Sequence, residues 1–269
     1  MVSEYLKHSR SLEELDEIFE RDRKAAAAIA ATVLRHEIHT ATTNIGEINQ
    51  IAHARIMADS QVASAKIMTD AEVVSTQISA KAEMAILEAQ NQGKHGYYGE
   101  EEQRKIIQEI SSISTNNISS SAEKSVHEIQ RQAAVAIAEI SKNAEEAIGE
   151  INTLAESISG KIAENAEEAR KKLERKKRGK RTPEEAAKDA EKEAAKVVQD
   201  ANQMTQELRE TAKTAVIALK VKTDEATRTI TESVKNSESR IKKARDDAIK
   251  RIESVLLALE AGERYDPKT

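Results

Sequence analysis

Large aliphatic residues return every eleven positions along most of this chain. The cleanest column is Ile107, Ile118, Ile129, Ile140, Ile151, Ile162 and Leu173. An earlier one runs Leu34, Ile45, Ile56, Ile67 and Ile78, and a later one Ala186, Val197, Leu208, Leu219, Ile230, Ile241 and Ile252. Eleven residues over three turns is about 3.67 per turn, close to the natural helix, so each column stays on one side of a long helix with little supercoiling. The positions four residues on from a column residue are mostly small, as at Ala71, Ala82, Ala122, Ala133, Ala201 and Ala212. Alanine beside each aliphatic residue makes a low seam that lets helix axes approach closely. The first stretch carries a second stripe, Ile29, Ile51, Val62, Val73 and Met84. At about 98° per residue it lies roughly 130° from the first column. Two apolar faces with few charges predict a helix that contacts more than one neighbour.

Turn and capping signals cut the pattern into three. Residues 1–10 carry no pattern and read as a tail. Ser11 with Glu14 is a capping box, and Leu12, Leu15, Ile18 and Phe19 follow on one face. A first helix is therefore expected over 11–92, ended by Gly93 and Gly96. The turn 93–99 reads Gly-Lys-His-Gly-Tyr-Tyr-Gly. Glu100, Glu101 and Glu102 suit the positive end of a second helix, 100–177. The Ser- and Asn-rich stretch 111–125 is expected to be its weakest part. A basic turn, 178–182, gives way to Thr182 as N-cap and Pro183 at the first helical position. A third helix follows over 183–262, and 263–269 is a tail. The columns lose phase at both turns. The expected fold is all-α: three long helices of about 80 residues, each roughly 120 Å, as an up-down-up antiparallel bundle or coiled-coil rod. Pairing of extended helices between chains is the alternative.

Composition supports this reading. Of 269 residues 33% are charged and 2% aromatic, with two prolines and no Cys or Trp. The apolar count rests on Ala and Ile rather than on the rings that fill a globular core. The net charge of −5 is near balance, and specific nucleic-acid binding is not expected. Without cysteine there is no disulfide framework and no thiolate chemistry. No apolar run is long enough to cross a bilayer, and a cytoplasmic location is expected. The repeat in all three segments resembles hendecad coiled-coil proteins. That resemblance implies a structural or spacer role and no enzymatic activity.

Candidate chemistry is sparse. His36, His39 and His53 share the first helix without the spacing of a zinc-binding pair, and are expected to face solvent. No catalytic triad order, nucleophile elbow or phosphate loop occurs, and neither cofactor nor metal is expected. The sharpest charge feature is the run Arg170, Lys171, Lys172, Arg175, Lys176, Lys177, Arg178, Lys180 and Arg181. It complements a helix C-terminus or docks an anionic partner. Tyr97 and Tyr98, at the first turn, are either a docking knob or a cap on the bundle end. The expected function is a non-enzymatic scaffold that assembles into a homo-oligomer or filament. Its assembly seam is Ile45, Ile56, Ile67, Ile78, Ile107, Ile118, Ile129, Ile140, Ile151, Ile162, Leu173, Val197, Leu208, Leu219, Ile230, Ile241 and Ile252. The alternatives are an amphipathic coat on a lipid or granule surface and a stress-protective helical protein.

Overall fold

A computed structural model describes residues 23–94, 100–174 and 183–260. All of them are helical and, among the described residues, there is no strand. Helix α1 is Arg23–Lys94, α2 is Glu100–Glu174 and α3 is Pro183–Glu260, of 72, 75 and 78 residues. Helix α1 runs through Gly93 to Lys94, since one glycine in a final turn costs only about 1 kcal/mol. The expected stretches 11–22, 175–177 and 261–262 lie outside the described residues. The chain forms two compact units, each built from a segment of every helix.

The first unit contains 23–54 of α1, 143–174 of α2 and 183–222 of α3. Its core gathers Ala26, Ala30, Leu34 and Ile38 from α1, Ile162, Ala166 and Leu173 from α2, and Val197, Ala201 and Met204 from α3. The beginning of α1 thus packs against the end of α2 and the beginning of α3, which makes α2 antiparallel to its neighbours. Polar contacts at the rim share this register. Asn165 donates to the Glu37 carboxylate at 3.2 Å, and Arg35 lies 3.9 Å from Asp200.

The second unit contains 55–94, 100–142 and 223–260. Here α1 and α3 run in parallel, because their contacts advance together. Ser60 meets Ala226, Ile67 meets Ser237, Glu72 meets Arg240 and Glu83 meets Arg251. Helix α2 is tied to both, through Lys81 Nζ to Ser121 Oγ at 3.1 Å and Gln130 Nε2 to Glu238 Oε1 at 2.7 Å. The α1–α3 contact has a simple sequence cause. Ser60, Ala71 and Ala82 stand on one row of α1, and Ala226, Ser237 and Ala248 on one row of α3; all are buried. Small side chains on both sides bring the axes towards the short end of the usual 8–10 Å or so. At that range the Ser60 hydroxyl donates to the Ala226 carbonyl at 3.2 Å and the Ser237 hydroxyl to that of Ile67 at 3.4 Å.

The stretch 111–125 is continuous helix. Thr115 and Ser125 turn their hydroxyls back onto the Ser111 and Ser121 carbonyls, at 2.9 Å each. These bonds satisfy polar side chains without a partner helix.

Candidate functional site

The aliphatic columns lie inside the chain's own packing. Every residue of the expected seam, from Ile45 to Ile252, is buried, none more than 5% exposed. Within each unit the three columns face one another, so the helices pair within one chain. The columns therefore form an intramolecular core, and surfaces outside them are the ones open to partners.

The most distinctive such surface is the outer face of α1 in the second unit. Val62, Val73 and Met84 of the second stripe are 69%, 48% and 69% exposed, and Leu87 is 58% exposed. Exposed small residues fill the gaps: Ala58, Ala65, Thr69, Thr76 and Ala80. Read in order, Ala58, Val62, Ala65, Thr69, Val73, Thr76, Ala80, Met84 and Leu87 step by three or four residues in an eleven-residue cycle. They form one straight row opposite the core column of Ile56, Ile67 and Ile78. No charged residue interrupts it. In the first unit the same stripe gives a half-buried Ile29 and an Ile51 that is 69% exposed.

Charges border this row. On the α3 side stand Glu72 and Glu83, drawn towards Arg240 and Arg251 at 3.5 and 3.6 Å. On the other border are Arg55, Lys66, Gln77 and Glu88. The outward faces of the other helices in this unit differ: α2 exposes Lys105, Glu109, Glu123 and Lys124, and α3 exposes Asp224, Arg228, Glu232 and Lys235. The stripe itself is legible in the sequence. The small residues that complete it are not, because alanine and threonine are equally at home in a core or on a surface.

A shallow groove of about 310 Å³ lies between α1 and α3, lined by Ser75, Thr76, Ser79, Arg240, Lys243, Asp247 and Arg251. Its cations suit an anion, but its hydroxyls are turned inward. Ser75 donates to the Ala71 carbonyl at 2.7 Å, Thr76 to Glu72 at 3.0 Å and Ser79 to Ser75 at 3.2 Å. Arg240 and Arg251 already face carboxylates.

The histidines separate. His36 and His39 are exposed, whereas His53 is half-buried with Nε2 enclosed and without a hydrogen-bond partner, as is the nearby Asn49 Oδ1. The sequence predicts solvent exposure for all three. His53 departs from it because its row on α1 turns towards the packed side of the first unit. Among the described residues, no three His, Asp or Glu side chains are grouped to hold a metal ion.

At the end of α2 the leading cations are held by acids one turn back. Arg170 binds Glu167 at 2.6 Å, Lys171 lies 3.7 Å from Glu167 and Lys172 lies 3.0 Å from Glu168. The hydrogen bond from Arg170 holds the Glu167 carboxyl below the usual carboxylate range. A stronger case is Glu128, lowered from 4.5 to about 2 by hydrogen bonds from Arg131 and Gln132 and then by the Arg131 and Lys66 charges. Both carboxyls are on the surface, where such pairs orient side chains and add little stability. The candidate contacts Tyr97, Tyr98, Arg175, Lys176, Lys177, Arg178, Lys180 and Arg181 lie outside the described residues.

No helix among the described residues is long and apolar enough to cross a membrane. No protein-family model matches the chain, and no curated protein matches it. A solved structure described as a computationally designed three helix bundle is similar to it, at 16% identity over 90% of this chain and 98% of that one, with a TM-score of 0.40. Likeness at that level carries no argument about function.

Proposed function

We propose that this protein is a non-enzymatic scaffold that associates with copies of itself in the cytoplasm. The observation that carries the reading is the uncharged outer row of α1 between Ala58 and Leu87. Exposed Val62, Val73, Met84 and Leu87 stand in line there without a charge among them. Contiguous apolar surface of this kind marks an interaction site more often than scattered exposed residues do. The aliphatic columns are already occupied by the chain's own helices, so association between copies falls to this row. Sedimentation equilibrium over a wide concentration range tests the reading. A mass that grows with concentration is expected, and a monomer throughout would end it.

The same row supports a second reading, an amphipathic coat on a lipid or granule surface. Interfacial helices usually bring aromatic residues and a basic polar face. The α1 row has neither, and Glu72 and Glu83 border it. Flotation with liposomes separates the two: the scaffold reading expects the protein to stay at the bottom of the gradient.

A further inference from the structure

The outer face of α1 is shielded where the helix begins. Ala25, Ile29, Thr32 and Val33 are half-buried, although they lie off the core column of Leu34 and Ile45. Each heads a row that recurs every eleven residues, and every later described member of the four rows is exposed. Thr40, Ile51, Val62, Val73 and Met84 follow Ile29; Asn44, Arg55, Lys66, Gln77 and Glu88 follow Val33. Members of a row share one angular position on the helix, so angular position does not explain the difference.

Helix α2 repeats the contrast. From Asn117 through Glu128, Glu139 and Glu150 to Lys161 one row is exposed, yet its next member, Lys172, keeps only 11% of its side chain in solvent. Asn165 meets Glu37, so in this antiparallel pair Lys172, seven residues on, comes level with Ala30. Its partner Glu168, 3.0 Å away, is itself half exposed. Side chains of two helices are thus shielded at one place.

We infer that residues 11–22 fold back over this place as a short helical cover, instead of prolonging α1; the inference does not depend on self-association. The lengths match. As a helix, residues 11–19 span about 13 Å, and Ala25 to Val33 spans about 12 Å. Glu20, Arg21 and Asp22 remain as the connection, within the two to five or so residues that join antiparallel helices. Asp22, a favoured N-cap type, directly precedes Arg23.

The chemistry matches as well. Leu12, Leu15, Ile18 and Phe19 share one face and suit the apolar surface of Ala25, Ile29 and Val33. Glu13, Glu14, Asp16 and Glu17 around that face suit the Lys172 ammonium. Residues 11–22 belong to the same compact unit as Lys172. The turn 175–182 belongs to it too, but it carries no apolar residue and has the same sign of charge as Lys172. The cover closes the start of the second stripe and leaves it open from Ile51 onwards. The N-terminal segment thereby sets how much of the α1 outer face a partner can reach.

The test uses the full chain, which has no native cysteine or tryptophan. Thiol labelling of I29C under native conditions should be about tenfold slower than that of I51C, as local protection predicts. L15E/F19E should bring the I29C rate up to that of I51C while leaving the I51C rate and the circular dichroism unchanged. Equal rates for I29C and I51C without those glutamates would overturn the inference. So would protection that survives L15E/F19E but is lost when Arg175, Lys176 and Lys177 are replaced by serine, since the basic turn would then be the cover. F19W gives a reading that leaves the segment apolar. Its emission should be blue-shifted and shielded from acrylamide, and a fully solvent-exposed spectrum would equally sink the inference.

Discussion

Ile140 is fully buried and Ile113, on the same helix, is 54% exposed. Their chemistry is identical, so the contrast isolates what burial contributes. Ile140→Ala should cost about 2–5 kcal/mol, the sum of lost transfer energy and the cavity left behind. Ile113→Ala should cost less than about 0.5 kcal/mol. Denaturant melts of the two variants check the difference. Gly160 is an exposed interior helix residue whose added Cβ would meet nothing within 4 Å. Gly160→Ala should therefore raise stability by roughly 0.5–1 kcal/mol, chiefly by restricting the unfolded chain. Glu128 titrates far below its ordinary 4.5, at about 2, because Arg131 donates to its carboxylate. A lowered acid contributes fully above the unfolded value and loses that contribution as pH falls from about 4.5 through 2. The Glu128 carboxyl resonance should titrate near the lower value in the wild type and move up towards 4.5 in Arg131→Ala.

Within the helices, the rows of small residues decide how segments meet. Ala71 and Ala226 are fully buried in the second unit, on the rows that bring α1 and α3 together. Ala71→Leu leaves composition and helix propensity nearly unchanged but forces the axes apart. It should destabilise by about 1–3 kcal/mol through overpacking, with helicity at low temperature retained. The Glu72–Arg240 and Glu83–Arg251 pairs span the same two helices, yet both partners are about half exposed or more. Arg240→Ala should shift stability by no more than about 1 kcal/mol. A larger loss than Ala71→Leu would mean that charge rather than close approach sets this contact. The eleven-residue spacing made such rows legible in advance, since it names which residues share a helix face. It did not reveal which rows meet: the Ser60–Ala226 and Ser237–Ile67 bonds follow from register between segments about 170 residues apart.

For the whole chain, the aliphatic columns close on one another within each unit, and association between copies is proposed for the uncovered α1 face. Mixing wild type with V62E/V73E should yield fewer dimers than wild type alone, read by sedimentation velocity, if both partners must present an uncharged row. The sequence by itself determined the three long helices, through hydrophobic period, capping residues and glycine or proline punctuation, all of which act over a few neighbouring residues. It also singled out Ile51, Val62, Val73 and Met84 as a second apolar face. Only the tertiary structure decided that the aliphatic columns are satisfied inside one chain, that His53 turns an unpartnered nitrogen inward, and that the second face stays open to solvent. An aliphatic residue is equally stabilised against a helix of its own chain or of another. Choosing between them depends on chain reversal and register, which local pattern does not encode.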